Sequence, residues 1–125
     1  MPIRCTISHL DRMVVGVSEG VVTLKDIAGF LDAVVQAGAQ PYPKLFDAMD
    51  GVSGLSEADL GILSARLFAR PGPVKPLGPF AVVARSDRSE LARVLRPFSL
   101  IRRPMRVFRD IHSARKWLSY QPIVR

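Results

Sequence analysis

Cysteine is nearly absent from the sequence, which rules out the usual covalent way of stabilising a small fold. Cys5 is the single cysteine among 125 residues, so no internal disulfide can form. No second cysteine or histidine lies at zinc-ligand spacing from it, and we expect no metal or other cofactor. A domain of this length buries about two-thirds of its unfolded surface. It can therefore hold a hydrophobic core unaided.

Long apolar runs are also absent. No run approaches the roughly 18 apolar residues that span a bilayer, and charged residues enter the N-terminal segment before a signal-peptide core could form. We therefore expect a protein without a membrane span that is located in the reducing cytoplasm.

Residues for catalysis are sparse and scattered. His9 and His112 are far apart in the sequence and belong to no recognisable Ser/His/Asp or Cys/His arrangement. Cys5 lies on the inward side of an alternating segment, where we expect a small buried hydrophobic side chain, and Trp117 is expected to serve in packing. We therefore predict that the protein is not an enzyme.

Charge is distributed unevenly along the chain. Residues 1–69 carry five Lys/Arg against eight Asp/Glu, whereas residues 70–125 carry thirteen against three. The basic half could bind an anionic surface or could simply be a solvated, arginine-rich face. Because there is no Gly-Arg run or aromatic-basic alternation, we do not expect nucleic-acid binding. Six arginines near the predicted third helix could form an anion-binding rim: Arg85, Arg88, Arg93, Arg96, Arg102 and Arg103.

The N-terminal half shows strand and helix signals in turn. Residues 3–9 alternate in polarity, which predicts a first strand, and a second strand is predicted from Met13 to about Val17. The connection between them is short enough to predict an antiparallel hairpin. Thr23 and Asp26 can form a capping box before a helix that Gly38 closes. The apolar stripe predicted for that helix consists of Ile27, Phe30, Leu31, Val34 and Val35.

A third strand is predicted from Lys44 to Met49, ending in a tight turn at Asp50-Gly51. Ser56 and Asp59 form a second capping box and begin a second helix that ends near Arg70. The apolar stripe of this helix is predicted to contain Leu60, Leu63, Leu67 and Phe68.

The C-terminal half repeats the alternation of strands and helices. A stiff Pro-rich segment, Pro71–Pro79, leads into Phe80–Ala84, an apolar strand typical of one buried on both faces. A third helix is expected to begin at Ser86 or Asp87. Met105–Phe108 is predicted to be a fifth strand, and Asp110 is predicted to start a last helix with inward residues Ile111, Ala114 and Leu118.

The predicted order is ββαβαβαβα. Alternating strands and helices predict one α/β domain over residues 1–125, with a mostly parallel five-stranded sheet and an antiparallel edge strand from the hairpin.

Two segments resemble small SpoIIAA-like proteins. Gly20–Ile27 is similar to that family's "G-x-hydrophobic-T-x-x-D" entry to the first helix, and Arg106–Asp110 with Ala114 and Trp117-Leu118 is similar to its closing strand and "A-x-x-W-L" helix. The resemblance implies a fold shared with STAS domains and, more distantly, with CRAL-TRIO lipid-binding domains. It therefore implies a binding or regulatory module.

The resemblance also implies where to look for function. In anti-sigma-factor antagonists of this fold, a serine at the start of a helix is phosphorylated within an Asp-Ser-Ser-Gly-like turn. Ser53 or Ser56 is the matching position here, although the paired serines are absent. Asp47 and Asp50 lie at the carboxyl end of the predicted third strand, where α/β sheets commonly bind ligands. We therefore predict that Asp47, Asp50, Ser53 and Ser56 bind a protein partner or a small ligand.

Two alternatives stay open at this point. A CRAL-TRIO-like carrier of a lipid or small apolar ligand requires a pocket beneath Pro71–Pro79, and an anionic-surface binder requires the basic half of the chain. An exposed strand edge or helix face could also support a homodimer.

Overall fold

A computed structural model describes residues 2–68, 78–85 and 104–121 of the chain. These residues form a sheet of five strands with three helices against it. In chain order the elements are β1 Ile3–Ser8, β2 Met13–Val22, α1 Leu24–Gln36, β3 Lys44–Ser53, α2 Glu57–Phe68, β4 Phe80–Val83, β5 Met105–Phe108 and α3 Ile111–Ser119.

The sheet has the strand order β1-β2-β3-β4-β5. β1 pairs with β2 antiparallel, and the other neighbouring strands pair parallel. Arg12 adopts a left-handed conformation, with φ of 51°, in the tight connection between the first two strands. The predicted α/β class, the hairpin and its edge position in a mostly parallel sheet are therefore confirmed.

β2 and β3 are longer than the sequence pattern indicates. β2 extends to Val22 instead of ending near Val17, and Asp50-Gly51 lies inside β3 instead of forming a turn. The predicted turn is wrong because the two strands resume pairing after an irregularity between Val17 and Glu19. Backbone pairing along two neighbouring strands outweighs the local turn preference of an Asp-Gly pair.

The predicted start of α1 is confirmed. The Thr23 side chain accepts a hydrogen bond from Asp26 N, and the Asp26 carboxylate accepts one from Thr23 N at 2.8 Å. Ile27, Phe30 and Val34 are buried. Val35 was expected in the same stripe but is 55% exposed, because it lies about 100° around the helix from Val34.

The second capping box is confirmed as well. Ser56 N donates to Asp59 Oδ2 at 2.9 Å, and Asp59 N donates to Ser56 Oγ at 3.1 Å. Leu60 and Leu63 are buried as predicted. The side chains of Leu67 and Phe68 lie outside the described set.

The last helix begins as predicted and differs in one packing residue. Asp110 caps α3 by accepting a hydrogen bond from Ser113 N at 2.7 Å, and Ala114 and Leu118 are buried. Ile111 was expected to face inward but is 40% exposed. It is the first residue of the helix, where the chain has only begun to turn toward the sheet.

Hydrophobic cores lie on both faces of the sheet. The larger core joins α1 and α2 to the sheet through residues that include Phe30, Val34, Leu63 and Val82. The smaller core joins α3 to the other face and is formed by Leu45, Ala81, Val83, Ala114 and Leu118. β4 contributes buried side chains to both cores, as its continuous apolar run predicts.

Cys5 is exposed, so the prediction of a buried thiol is wrong. It shares the alternating face of Ile3 and Ile7, which pack at the larger core. However, β1 is an edge strand, and the register partner of Cys5 is Gly16. Glycine offers no side chain to cover the thiol.

Part of the prediction lies outside the described residues. Most of the Pro-rich segment and the predicted helix starting at Ser86 or Asp87 belong to residues 69–77 and 86–103. Within the described ranges, no helix is long and apolar enough to cross a membrane.

Candidate functional site

β2 and β3 continue past the neighbouring strands of the sheet. β4 pairs with β3 only as far as Asp47, and β1 pairs with β2 only as far as Ser18. Beyond these points, residues 19–22 of β2 pair with residues 50–53 of β3. We call this two-stranded extension the β2–β3 ribbon. No other described strand pairs with it.

The two faces of the ribbon differ in burial. Val22 is buried in the larger core, beneath the helices. Val21 and Val52 are register partners on the adjacent strands and are 59% and 62% exposed. β-Branched side chains in a strand are ordinarily half-buried. The ribbon therefore presents an apolar pair to its surroundings on one face.

Two ion pairs lie at the base of the ribbon, on one side of this apolar pair. Arg4 Nη2 lies 2.9 Å from Glu19 Oε1, and Arg85 Nη2 lies 3.5 Å from Asp50 Oδ1. Glu19 and Asp50 are themselves register partners. The two acidic side chains on neighbouring strands are thus each matched by an arginine from outside the ribbon. Such exposed pairs contribute little stability, about 0 to 1 kcal/mol each.

Arg85 also bonds to the backbone of β3. Its Nε donates to Met49 O at 2.9 Å. Six arginines were predicted to bind anions, and Arg85 is the one that lies within the described residues. Its guanidinium contacts β3, at Met49 O and at Asp50. The guanidinium therefore links the residues just after β4 to β3.

Asp47 has a structural role at the irregularity between β2 and β3. Its Oδ1 accepts a hydrogen bond from Met49 N at 3.0 Å, and its backbone oxygen accepts one from the buried Ser18 Oγ at 3.3 Å. Among the described residues, no group of three or more His, Cys, Asp or Glu side chains is placed to hold a metal ion.

Ser53 and Ser56 both bond to the turn that leads into α2. Ser53 Oγ accepts from Leu55 N at 3.2 Å, and Ser56 is the capping residue already described. A phosphate on Ser56 would stand beside the Asp59 carboxylate, which would repel it.

The residue at position 51 of the ribbon is constrained by its neighbour Ser18. A Cβ on Gly51 would meet Ser18 Oγ at less than van der Waals separation and Ser18 Cβ at 3.0 Å. Ser18 is only 2% exposed and cannot move into solvent. The close approach of β2 and β3 at the base of the ribbon therefore requires glycine at position 51.

The histidines lie outside the ribbon. His9 Nδ1 lies 2.8 Å from Tyr42 Oη, and the Arg12 guanidinium stands over the same phenol ring, 5.2 Å from its centroid. His112 is exposed in the first turn of α3. Trp117 packs against Phe108 with ring centroids 5.7 Å apart, which confirms its predicted packing role.

The four residues predicted from the sequence to bind a partner or ligand lie in or beside the ribbon. Asp50 and Ser53 lie in the ribbon, Asp47 lies just before it and Ser56 just after it. Glu19, Val21 and Val52 were not singled out, although the β-branched Val21-Val22 pair just past the expected end of β2 was a signal that the strand continues.

Comparison with known proteins supports the architecture. A crystal structure of an uncharacterised DUF3478-family protein from Shewanella loihica superimposes with a TM-score of 0.59 and 21% sequence identity, covering 93% of this chain and 91% of that one. That protein is described as having a SpoIIAA-like fold. The fold is SpoIIAA-like. No family model matches the sequence, and no curated protein matches it.

The SpoIIAA-like fold was predicted from the entry to α1 and from the closing strand and helix, and it is confirmed. At this level of identity the likeness concerns the fold alone.

Proposed function

We propose that the protein is a non-enzymatic binding module whose protein partner docks on the exposed face of the β2–β3 ribbon. The observation that carries this proposal is the exposed pair of Val21 and Val52, with the Arg4–Glu19 and Arg85–Asp50 ion pairs beside it at the base of the ribbon. Protein interfaces ordinarily combine apolar side chains at the centre with polar groups at the edge, and the ribbon offers both.

The shape of the surface favours a protein over a small molecule. Small-molecule sites are concave and enclose most of their ligand. Val21 and Val52 instead lie side by side on two paired strands, with more than half of each side chain accessible. A protein surface that places an apolar side chain between the two valines would exclude water from both.

The polar groups near the ribbon support a binding role over catalysis. Asp47 and Ser53 accept hydrogen bonds from nearby backbone N–H groups, Ser56 caps α2, and Asp50 is paired with Arg85. A general base or nucleophile requires a free group within hydrogen-bond reach of its partner. These side chains are used to shape the ribbon and the start of α2.

A comparative affinity capture tests the proposal. Wild-type protein, Val52→Lys and the matched control Val35→Lys are immobilised and exposed to extract from the source organism. Val35 is 55% exposed and lies on α1, away from the ribbon. A protein retained by wild type and Val35→Lys and lost with Val52→Lys is the expected result. Equal retention by all three, or no specifically retained protein, would contradict the proposal.

Regulation of this surface by phosphorylation is part of the same proposal. Ser53 is the better acceptor on electrostatic grounds, because its hydroxyl accepts a hydrogen bond from Leu55 N, whereas Ser56 is bonded to the acidic Asp59. Intact-mass measurement of protein purified from its source, with peptide mapping, is expected to place any phosphate on Ser53. A phosphate on Ser56 would contradict this choice.

The carrier and anionic-surface alternatives stay predictions. The first depends on a pocket beneath the Pro-rich segment and the second on arginines beyond Arg85, and both of these lie largely outside the described residues. The same intact-mass measurement under native conditions would reveal a co-purified apolar ligand.

A further inference from the structure

β1 has one edge that is not used by the described sheet. It pairs with β2 along its whole length, from Ile3 opposite Ser18 to Ser8 opposite Met13. On its other side, none of the strands in residues 2–68, 78–85 and 104–121 pairs with it. An edge strand offers backbone N–H and C=O groups to another chain.

The register of the hairpin shows which backbone groups point outward. Glu19 N donates to Pro2 O at 2.7 Å, one step beyond the Ile3–Ser18 pair. Hydrogen-bonded and non-hydrogen-bonded pairs alternate along an antiparallel ladder. Arg4, Thr6 and Ser8 therefore bond to β2, and the backbone groups of Ile3, Cys5 and Ile7 point away from it.

β1 carries few of the features that protect an edge. Proteins usually block such edges with proline, lysine or a bulge. From Ile3 to Ser8 the strand contains no proline and no lysine, and its register with β2 has no irregularity. Its one charged side chain, Arg4, is paired with Glu19.

We propose that a second copy of this chain docks antiparallel on β1, with the two-fold axis at Cys5. In this register Ile3 lies opposite the second copy's Ile7, Cys5 lies opposite its own counterpart, and all three outward-pointing residues exchange backbone hydrogen bonds. A two-fold interface uses the same patch on both copies and closes on itself.

Side chains favour the same register. Ile3, Cys5 and Ile7 lie on the helix-covered face of the sheet, where Ile3 is buried, Ile7 is half-buried and Cys5 is exposed. Pairing at Cys5 places isoleucine beside isoleucine and covers the exposed thiol. Shifting the register by two residues would pair Cys5 with Ile3 or Ile7 and would take one outward-pointing residue of each copy beyond the partner's strand.

Cross-linking tests the register directly. Hydrogen-bonded residues across antiparallel strands have Cα atoms about 5.5 Å apart, within the range of a disulfide. Air oxidation catalysed by copper, in which two thiols lose two protons and two electrons to oxygen, should double the mass of the wild-type chain. Partial desolvation raises the pKa of the Cys5 thiol although the side chain is exposed, so the reaction is run at mildly alkaline pH.

A displaced cysteine provides the control for random collision. Leu10 is 94% exposed in the connection after β1. The double variant Cys5→Ala/Leu10→Cys is expected to cross-link at least tenfold more slowly than wild type. Equal rates for the two proteins would overturn the proposed register.

Sedimentation of three variants tests the interface itself. Cys5→Ala keeps the backbone groups and should remain dimeric, whereas Cys5→Pro removes the central outward N–H while leaving the bonds to β2 in place. Losing two interchain hydrogen bonds should weaken the dimer about tenfold or more. Cys5→Lys, which places two charges at the axis, should do the same if the proline variant fails to fold. A monomeric wild type, or a lysine variant that dimerises as strongly as wild type, would overturn the proposal.

Discussion

Gly51→Ala should destabilise the protein because β2 and β3 approach too closely at this position to admit a methyl group. The added Cβ would lie against Ser18 Oγ and 3.0 Å from Ser18 Cβ. Inserting a methyl group into a filled site costs roughly 1 to 3 kcal/mol. At roughly 4 °C per kcal/mol for a domain of this size, we expect the midpoint of thermal unfolding to fall by about 8 °C.

A second substitution determines whether Ser18 is the cause. Ser18→Gly alone should cost about 1.5 kcal/mol, because it removes the hydrogen bond to Asp47 O and places glycine in a strand. In the double variant Ser18→Gly/Gly51→Ala the clash is gone, and its free energy of unfolding should match that of Ser18→Gly to within about 0.5 kcal/mol. Strict additivity of the two single changes would refute the reasoning.

The assay is urea or thermal unfolding followed by circular dichroism on the four proteins. Gly29→Ala serves as the matched control, because a Cβ at Gly29 meets nothing within 4 Å and the residue lies inside α1. An exposed glycine in a helix interior costs about 1 kcal/mol relative to alanine. We therefore expect this control to stabilise the protein while Gly51→Ala destabilises it.

Three further predictions concern stability. Gly78→Ala should cost about 2 kcal/mol or more in urea unfolding, because its Cβ would meet the backbone oxygens of Tyr42 and Pro41 at less than van der Waals separation. Lys44→Met should also destabilise, because the buried Lys44 Nζ donates to Tyr42 O at 2.8 Å, and an unsatisfied buried carbonyl costs about 1 to 3 kcal/mol. Hydrogen bonds from Thr23 lower the pKa of Asp26 below its ordinary value of 3.8, so this contribution to stability is present above about pH 4 and is lost as the pH falls further. Thermal melts from pH 6 to pH 3 should show this loss of stability. Thr23→Ala removes the hydroxyl that bonds to Asp26, so the loss of stability between pH 6 and pH 3 should be smaller in that variant.

Local signals predicted the helices well because their determinants are close in sequence. The pairs Thr23/Asp26 and Ser56/Asp59 each bring a side chain and a backbone N–H together within one turn, and the caps form as expected. The continuous apolar run of β4 can be buried on both faces only in the middle of the sheet, between the two cores. These features need no knowledge of distant residues.

The ends of β2 and β3 could not be predicted in the same way. Whether Asp50-Gly51 turns or extends depends on Glu19 and Gly20 across the pairing, and those residues are about thirty positions away. Cys5 was misplaced for a similar reason, because its exposure follows from the edge position of β1 and from Gly16 beside it.

The residues of the candidate site also differ in whether local sequence could reveal them. Asp47, Asp50, Ser53 and Ser56 lie within ten positions of one another in the sequence, so a sequence pattern can select them. The exposed pairing of Val21 with Val52 exists only once the register of two strands is known. The role of Val52 in binding is the prediction that the capture experiment tests, and the role of the four residues selected from the sequence stays a prediction.

The strand order has a consequence for synthesis of the chain. Each strand in the order β1-β2-β3-β4-β5 lies beside the strand that precedes it in the sequence. As the polypeptide leaves the ribosome, each of these five strands is synthesised after the strand beside which it pairs. None of the five has to insert between two strands that have already paired. Domains begin to form from the N-terminal side during translation, at about 5 to 20 residues per second. This sheet can therefore grow outward in one direction at the pace of elongation.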